Sequence, residues 1–154
     1  MRMGIKWRCS RVQLTFIFAI LFLLVGWVAP MSYAAYAPAE SFLQVHDFSA
    51  EDATVGDTSH IIEIDRTVSQ TTTGTVYTEL YLIDENTGHR VRISSEMMER
   101  PLVEGRTTVQ REQDIPEQVE PGSYSYELTI RMELAQGRIF RTFSYESNTF
   151  RISA

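Results

Sequence analysis

The residues of this chain best suited to chemistry are acidic. Asp47, Glu51, Asp52 and Asp57 lie close together around the turn residue Gly56, and four carboxylates can converge on a hard cation such as calcium if the loop folds over it. Solvated charge at the end of a domain is the simpler account, and no metal or cofactor is expected. Asp84-x-Asn86-x-Gly88 has the start of a calcium loop, but an EF-hand counted from Asp84 needs a bidentate glutamate where Ser95 stands. That stretch reads as a turn. His46, His60 and His89 lie on different segments without ligand spacing and read as scattered surface or strand histidines. There is no Gly-x-Ser-x-Gly elbow, no phosphate-cradling glycine loop and no cysteine after Cys9, so nothing selects a nucleophile. Twenty acids offer many carboxylate pairs for glycoside cleavage and single out none. The chain reads as a non-catalytic module.

Charge divides the chain in two. Arg2, Lys6, Arg8 and Arg11 are the only charges before residue 35, which leaves ten Arg, no Lys and all 20 acids for the rest, a net of −10. Such a surface repels phosphate backbones, so no nucleic-acid partner is expected. Arginine pairs carboxylates bidentately, so this composition can lace a surface with ion pairs, although biased codon usage alone accounts for it.

Val12 to Met31 is an uncharged and almost wholly apolar run, about 30 Å long as a helix and able to cross a bilayer. Basic residues precede it and acids follow, so the N-terminus stays in the cytoplasm and the remainder is exported. Residues 1–34 therefore form a signal peptide or a signal anchor, and 35–154 the exported domain. Ser32-Tyr33-Ala34 permits cleavage after Ala34, while Trp7, Trp27, Tyr33 and Tyr36 sit where a retained helix places interfacial aromatics. Cleavage makes the domain periplasmic or secreted; retention anchors it to the membrane.

The exported part is positioned by strands. After Pro121-Gly122, Tyr124, Tyr126, Leu128, Ile130, Met132 and Leu134 alternate with polar residues, the period-two mark of a half-buried strand. Ala135-Gln136-Gly137 turns the chain into a return segment, Arg138–Tyr145, broken near Glu146-Ser147-Asn148 before Phe150 and Ile152. Upstream, Phe42–Phe48, His60–Val68, Thr75–Ile83, Arg90–Ser94 and Arg106–Arg111 read as further strands. Ile62 and Ile64 face inward on the second, and Val76, Leu80 and Leu82 on the third. Asp84–Gly88 closes a hairpin, and turns marked by Pro101 and Pro116 flank the last of these strands. Seven or eight short strands in one domain predict an all-β fold, an antiparallel two-sheet sandwich behind one N-terminal hydrophobic helix.

Val119-Glu120-Pro121-Gly122-Ser123-Tyr124-Ser125-Tyr126 resembles the approach to the penultimate strand of immunoglobulin-like and fibronectin type III-like domains, where a tyrosine anchors the corner. The exported part is similar to the small immunoglobulin-like modules exported by bacteria and their phages. The resemblance implies an immunoglobulin-like sandwich and transfers no site. In that order the last hairpin lies beside Thr75–Ile83, so Tyr77, Tyr81 and Phe140 fall on one outer sheet face. They form a candidate patch for another envelope or extracellular protein; cross-strand pairing within the sheet is the plainer role. A carbohydrate-binding module and an exported hydrolase are the alternatives.

A reporter fused after Ala154 should be active only if it functions outside the cytoplasm; activity in the cytoplasm would reverse the topology. Mass spectrometry then separates the two fates of the helix, with an N-terminus at Ala35 for cleavage and at Met1 or Arg2 for retention.

Overall fold

The computed structural model describes residues 11–69, 75–98, 102–134 and 139–154. The chain divides into two compact units, Met1–Ala37 and Pro38–Ala154. The turns expected at Ala135-Gln136-Gly137 and at Pro101, and most of the polar stretch ending at Gly74, lie outside the described residues.

The described part of the first unit is helical. Helix α1 (Arg11–Leu23) passes through a π-helical turn (Leu24–Val28) into α2 (Ala29–Tyr36). The widening has a cause in Pro30, whose missing N–H and bulky ring disfavour an ordinary α-turn against the carbonyl of Gly26. The Ala29 N–H instead reaches back to Leu24 O. Leu14–Tyr36 is 23 residues long, with an 18-residue stretch of mean hydropathy 2.4, and is long and apolar enough to cross a membrane, spanning about 35 Å. Such a helix is compatible with a signal sequence or a membrane anchor. Ala37 leaves the helix at φ −59°, ψ 147°, as the residue before a proline prefers.

The described residues of the second unit form nine strands: β1 (Leu43–Ala50), β2 (Ala53–Thr54), β3 (His60–Val68), β4 (Val76–Asp84), β5 (Arg90–Met98), β6 (Gly105–Gln113), β7 (Gly122–Leu134), β8 (Ile139–Glu146) and β9 (Phe150–Ser153). They form two sheets. The small one runs β1-β3-β6; the large one runs β5-β4-β7-β9-β2, with β8 also on β7, and it curls. The break of the return segment into β8 and β9 accounts for the upper end of the expected seven or eight strands, and a two-residue strand inside the acidic loop exceeds it. That strand, β2, pairs in parallel with β9, and among the described residues every other strand pair is antiparallel.

Strand β7 occupies the middle of the large sheet. One edge pairs with β4, with Leu82 opposite Tyr126, Leu80 opposite Leu128 and Thr78 opposite Ile130. The other edge pairs with β9 at Gly122–Tyr124 and with β8 at Glu127–Leu134. Tyr124, Tyr126, Leu128, Ile130, Met132 and Leu134 are all buried, because alternate side chains of a strand share one face. Between β8 and β9 the chain leaves the sheet. There Ser147 Oγ accepts the Tyr126 N–H at 2.8 Å and the Ser147 N–H donates to Tyr126 O at 2.8 Å. The Asn148 side chain crosses to the small sheet, accepting the Ala50 N–H at 2.7 Å and donating to Ala50 O at 3.0 Å. A primary amide reproduces both halves of a peptide's hydrogen bonding, so this side chain ties the two sheets together where the return strand breaks.

The hairpin joining β4 to β5 forms as its residue types require. Asp84 accepts the Asn86 N–H and the Thr87 hydroxyl, each at 2.8 Å, and Gly88 adopts φ 69°. These bonds hold the Asp84 carboxyl below its ordinary range.

Leu128→Ala should cost about 2–5 kcal/mol in chemical denaturation, and Thr129→Ala, on the outer face, much less. Equal losses would show that the alternation does not report a buried face.

Candidate functional site

The outer face of the large sheet carries the three aromatic residues singled out above. Tyr77, Glu79 and Tyr81 project from the same face of β4, opposite the buried row Val76, Thr78, Leu80 and Leu82. Tyr77 and Tyr81 are half-buried, while Phe140 on β8 is 44% exposed. The pairing divides the three into two groups. Tyr77 lies opposite Arg131 of β7, and Arg131 carries its guanidinium 4.4 Å from the centroid of the Phe140 ring. Tyr81 stands about 13 Å from Tyr77 along the strand, four residues at the usual rise.

Tyr81 has its own partners. Arg90 sits 4.5 Å from its ring centroid and bonds Glu127 at 2.8 Å. The Tyr81 hydroxyl donates to Glu79 at 2.9 Å, and this bond raises its pKa above the ordinary tyrosine range. Glu79 in turn faces Arg92 at 3.7 Å. Beside Tyr77 and Arg131 lies a shallow depression of about 510 Å³, also lined by Thr78, Glu79, Ser95, Glu96, Thr129 and Thr142. Stacked arginines and aromatics fix one another's positions, each contact contributing about 0.5–1 kcal/mol at exposed sites. The face therefore offers a mixed apolar and charged relief whose side chains are already ordered.

The acidic residues proposed for calcium are used differently. Asp52 accepts the Arg151 N–H at 2.8 Å, and Asp57 accepts the Ser59 N–H at 2.9 Å. Glu51 contributes its main-chain carbonyl to His60 at 2.7 Å, and Asp47 lies on β1 opposite Asp65. Among the described residues, no three His, Cys, Asp or Glu side chains come together in a way that could hold a metal ion.

His60, read from the sequence as one of several scattered histidines, is buried, 3% exposed. Its ring stacks on Phe150 at 5.1 Å, and Phe150 stacks on Tyr126 at 5.0 Å. A carbonyl only accepts, so Nε2 carries the proton given to Glu51 O, and in the neutral ring Nδ1 accepts the Tyr126 hydroxyl at 3.0 Å. Burial pushes the Tyr126 hydroxyl pKa well above the ordinary range. Both ring nitrogens are thus committed to holding the loop after β1 against β7 and β9. His46 bonds the Thr67 hydroxyl at 2.7 Å on the exposed side of the small sheet, and the nearby Asp65 carboxylate is taken by Arg106 at 2.5 Å. The ion-pair lacing that the arginine content allowed is present: Arg90–Glu127, Arg92–Glu79, Arg106–Asp65 and Arg111–Glu96.

No protein-family model and no curated protein matches the chain. Among solved structures, the C-terminal domain of wzt is similar with a TM-score of 0.51 at 7% identity, over 73% of this chain and 74% of that one. A ceramidase complexed with C2 is similar with a TM-score of 0.40 at 13% identity, over 74% of this chain. A family 123 glycoside hydrolase from Clostridium perfringens gives a TM-score of 0.35 at 12% identity, over 73% of this chain. The match spans only 19% and 26% of those two enzymes. The likeness to the wzt domain is one of β-rich fold alone.

Thermal unfolding of the full chain in detergent should give the same midpoint in excess chelator and in millimolar calcium at matched ionic strength, since screening alone acts on a domain of this charge. A rise of several degrees with calcium but not magnesium, abolished by Asp52→Asn, would make the acidic loop a metal site.

Proposed function

We propose that this chain is a non-catalytic binding module displayed outside the cytoplasmic membrane, and that it meets another envelope or extracellular protein through the outer face of its large sheet. The N-terminal helix with its preceding basic residues supports export. The domain behind it is proposed to be an immunoglobulin-like sandwich. Two features support that assignment: the strand orders β1-β3-β6 and β5-β4-β7 followed by β8 and β9, and the Tyr124 hydroxyl that donates to Glu120 O at 2.7 Å at the entry to β7. A tyrosine tied back to the main chain just upstream is the corner device of such domains.

The arginine-stacked Tyr81 and Phe140, on the face that also carries the depression beside Tyr77, support the binding assignment. Arginine and tyrosine together are the residue types that dominate protein interfaces, and here they are held in place by stacking before any partner arrives, which lowers the ordering cost of association. A carbohydrate module instead needs open aromatic faces for sugar rings. Tyr81 and Phe140 each have a guanidinium over the ring, which favours a protein partner. Against a hydrolase, His60 has no free nitrogen, and Asp65 beside the exposed His46–Thr67 pair is committed to Arg106.

Photo-crosslinking in living cells tests the assignment. A crosslinker replacing Thr129, on the outer face of the large sheet, should give a discrete protein adduct, and one replacing Thr108, on the outer face of the small sheet, should not. Arg131→Ala should weaken the interaction about tenfold or more with little change in the unfolding midpoint. Adducts of equal yield from both faces would remove the assignment, and glycan binding lost on Tyr81→Ala would replace it with the carbohydrate reading.

A further inference from the structure

One end of the domain holds a hollow that the outer face does not use. It lies between the β4–β5 hairpin and the connection from β6 to β7 and has a volume of about 530 Å³. Asp84 and His89 of the hairpin, Val91 of β5, Val119 and Glu120 of the connection and Tyr124 of β7 are among the residues that line it. The walls are held in place by the protein's own bonds. The hairpin is closed by the Asp84 N–H donating to His89 O at 3.0 Å and fastened to β7 by the Glu85 N–H donating to Ser123 O at 3.0 Å. On the other side the Val119 N–H donates to Pro116 O at 3.1 Å, and the Val119 side chain is buried. The buried Tyr124 ring packs over Gly122, where a side chain would approach it to 3.2 Å, and its hydroxyl is tied to Glu120 O.

The chemistry of the hollow is one-sided. It has a carboxylate on each wall, Asp84 and Glu120, and no arginine or lysine lines it, whereas the depression beside Tyr77 contains Arg131. Among the described residues neither carboxylate takes part in an ion pair with a guanidinium. Both charges reach one atom on the floor: burial, and with it the Asp84 and Glu120 carboxylates, raises the pKa of the Tyr124 hydroxyl above its ordinary range. An ionised carboxylate has about four lone-pair sites, and Asp84 receives one bond on each oxygen within its turn, so each oxygen can accept again. The floor itself is apolar, made by Val91, Val119 and the Tyr124 ring. A ligand with a positive head and a hydrocarbon stem satisfies both parts, and a cavity of this size suits a small group of that kind.

We propose that this hollow is a binding site for an alkylammonium group, with the charged head between the Asp84 and Glu120 carboxylates and the stem against Val91, Val119 and the Tyr124 ring. A free small amine and the lysine side chain of a peptide present this same chemistry. The hollow shares no lining residue with the depression beside Tyr77, so the site does not rest on the protein-binding face.

An NMR titration of the full chain in detergent tests the site, with n-butylammonium chloride as the probe and n-butanol and sodium chloride, at matched ionic strength, as controls. The Val91 and Val119 methyl resonances should shift saturably with the ammonium salt and with neither control. Glu120→Gln leaves the main-chain acceptor of the Tyr124 hydroxyl in place and should weaken binding about fivefold or more, the loss of one charge contact near a surface. Gln118→Lys places an ammonium group at a residue that lines the hollow and should abolish binding. Nα-acetyl-lysine methylamide then separates the two sources: affinity equal to or above that of butylammonium assigns a peptide lysine, and lower affinity assigns a free amine. Equal saturation by n-butanol would overturn the proposal, as would shifts that never saturate or an affinity unchanged in either variant. If the variants do not fold, the titration of the unaltered chain against its two controls decides alone.

Discussion

The large sheet takes its register from the two-sided pairing of β7. Its thirteen residues place six apolar side chains on one face, and both of its edges are hydrogen-bonded. A strand flanked on both sides cannot slip by one residue without moving its whole apolar row to the wrong face. That register aligns β4, which aligns β5, and it sets the point at which the return strand must break. At Tyr126 the ladder is completed by Ser147 in place of a regular partner, and the displaced chain is free to reach the small sheet through Asn148.

The same residue, Tyr126, joins the apolar core to its one buried histidine. Its ring packs on Phe150, and its hydroxyl satisfies His60, which in turn satisfies Glu51 O. A buried polar cluster with every member satisfied selects one arrangement of the surrounding chain, because any shift orphans a donor or an acceptor. Here it pins the acidic loop. The loop's carboxylates are left to organise local turns, and its main chain is brought close enough to β9 for β2 to form.

How much of this was legible in the sequence follows from which interactions are periodic. The buried rows of β3, β4 and β7 were readable because a strand repeats its environment every two residues, and the Asp84–Gly88 turn because its residue types have few other uses. The outward placement of Tyr77 and Tyr81 followed from the same alternation. Their arginine partners did not, since Arg90 and Arg131 meet them across strands and no local pattern records that pairing. His60 looked like any strand residue because its burial depends on Tyr126, 66 residues away. Arg66 and Arg111 broke the rule outright: they sit where alternation calls for apolar side chains, and a charge in an inward phase is invisible until the facing sheet is known. The parallel contact of β2 is two residues long, too short to leave any period.

That short contact has a mechanical consequence. β2 lies near the beginning of the domain and β9 at its end, and the two run in the same direction. A pull between the N-terminal and C-terminal ends of the domain draws parallel strands past each other lengthwise, so their hydrogen bonds are sheared together instead of being peeled one at a time. The bond from Val55 N to Ser153 O and the one from Ser153 Oγ to Ala53 O lie on the same line of load, and Asp52 grips the Arg151 N–H beside them. Once β1 has peeled from β3, this small clamp carries a pull applied between the two ends of the domain.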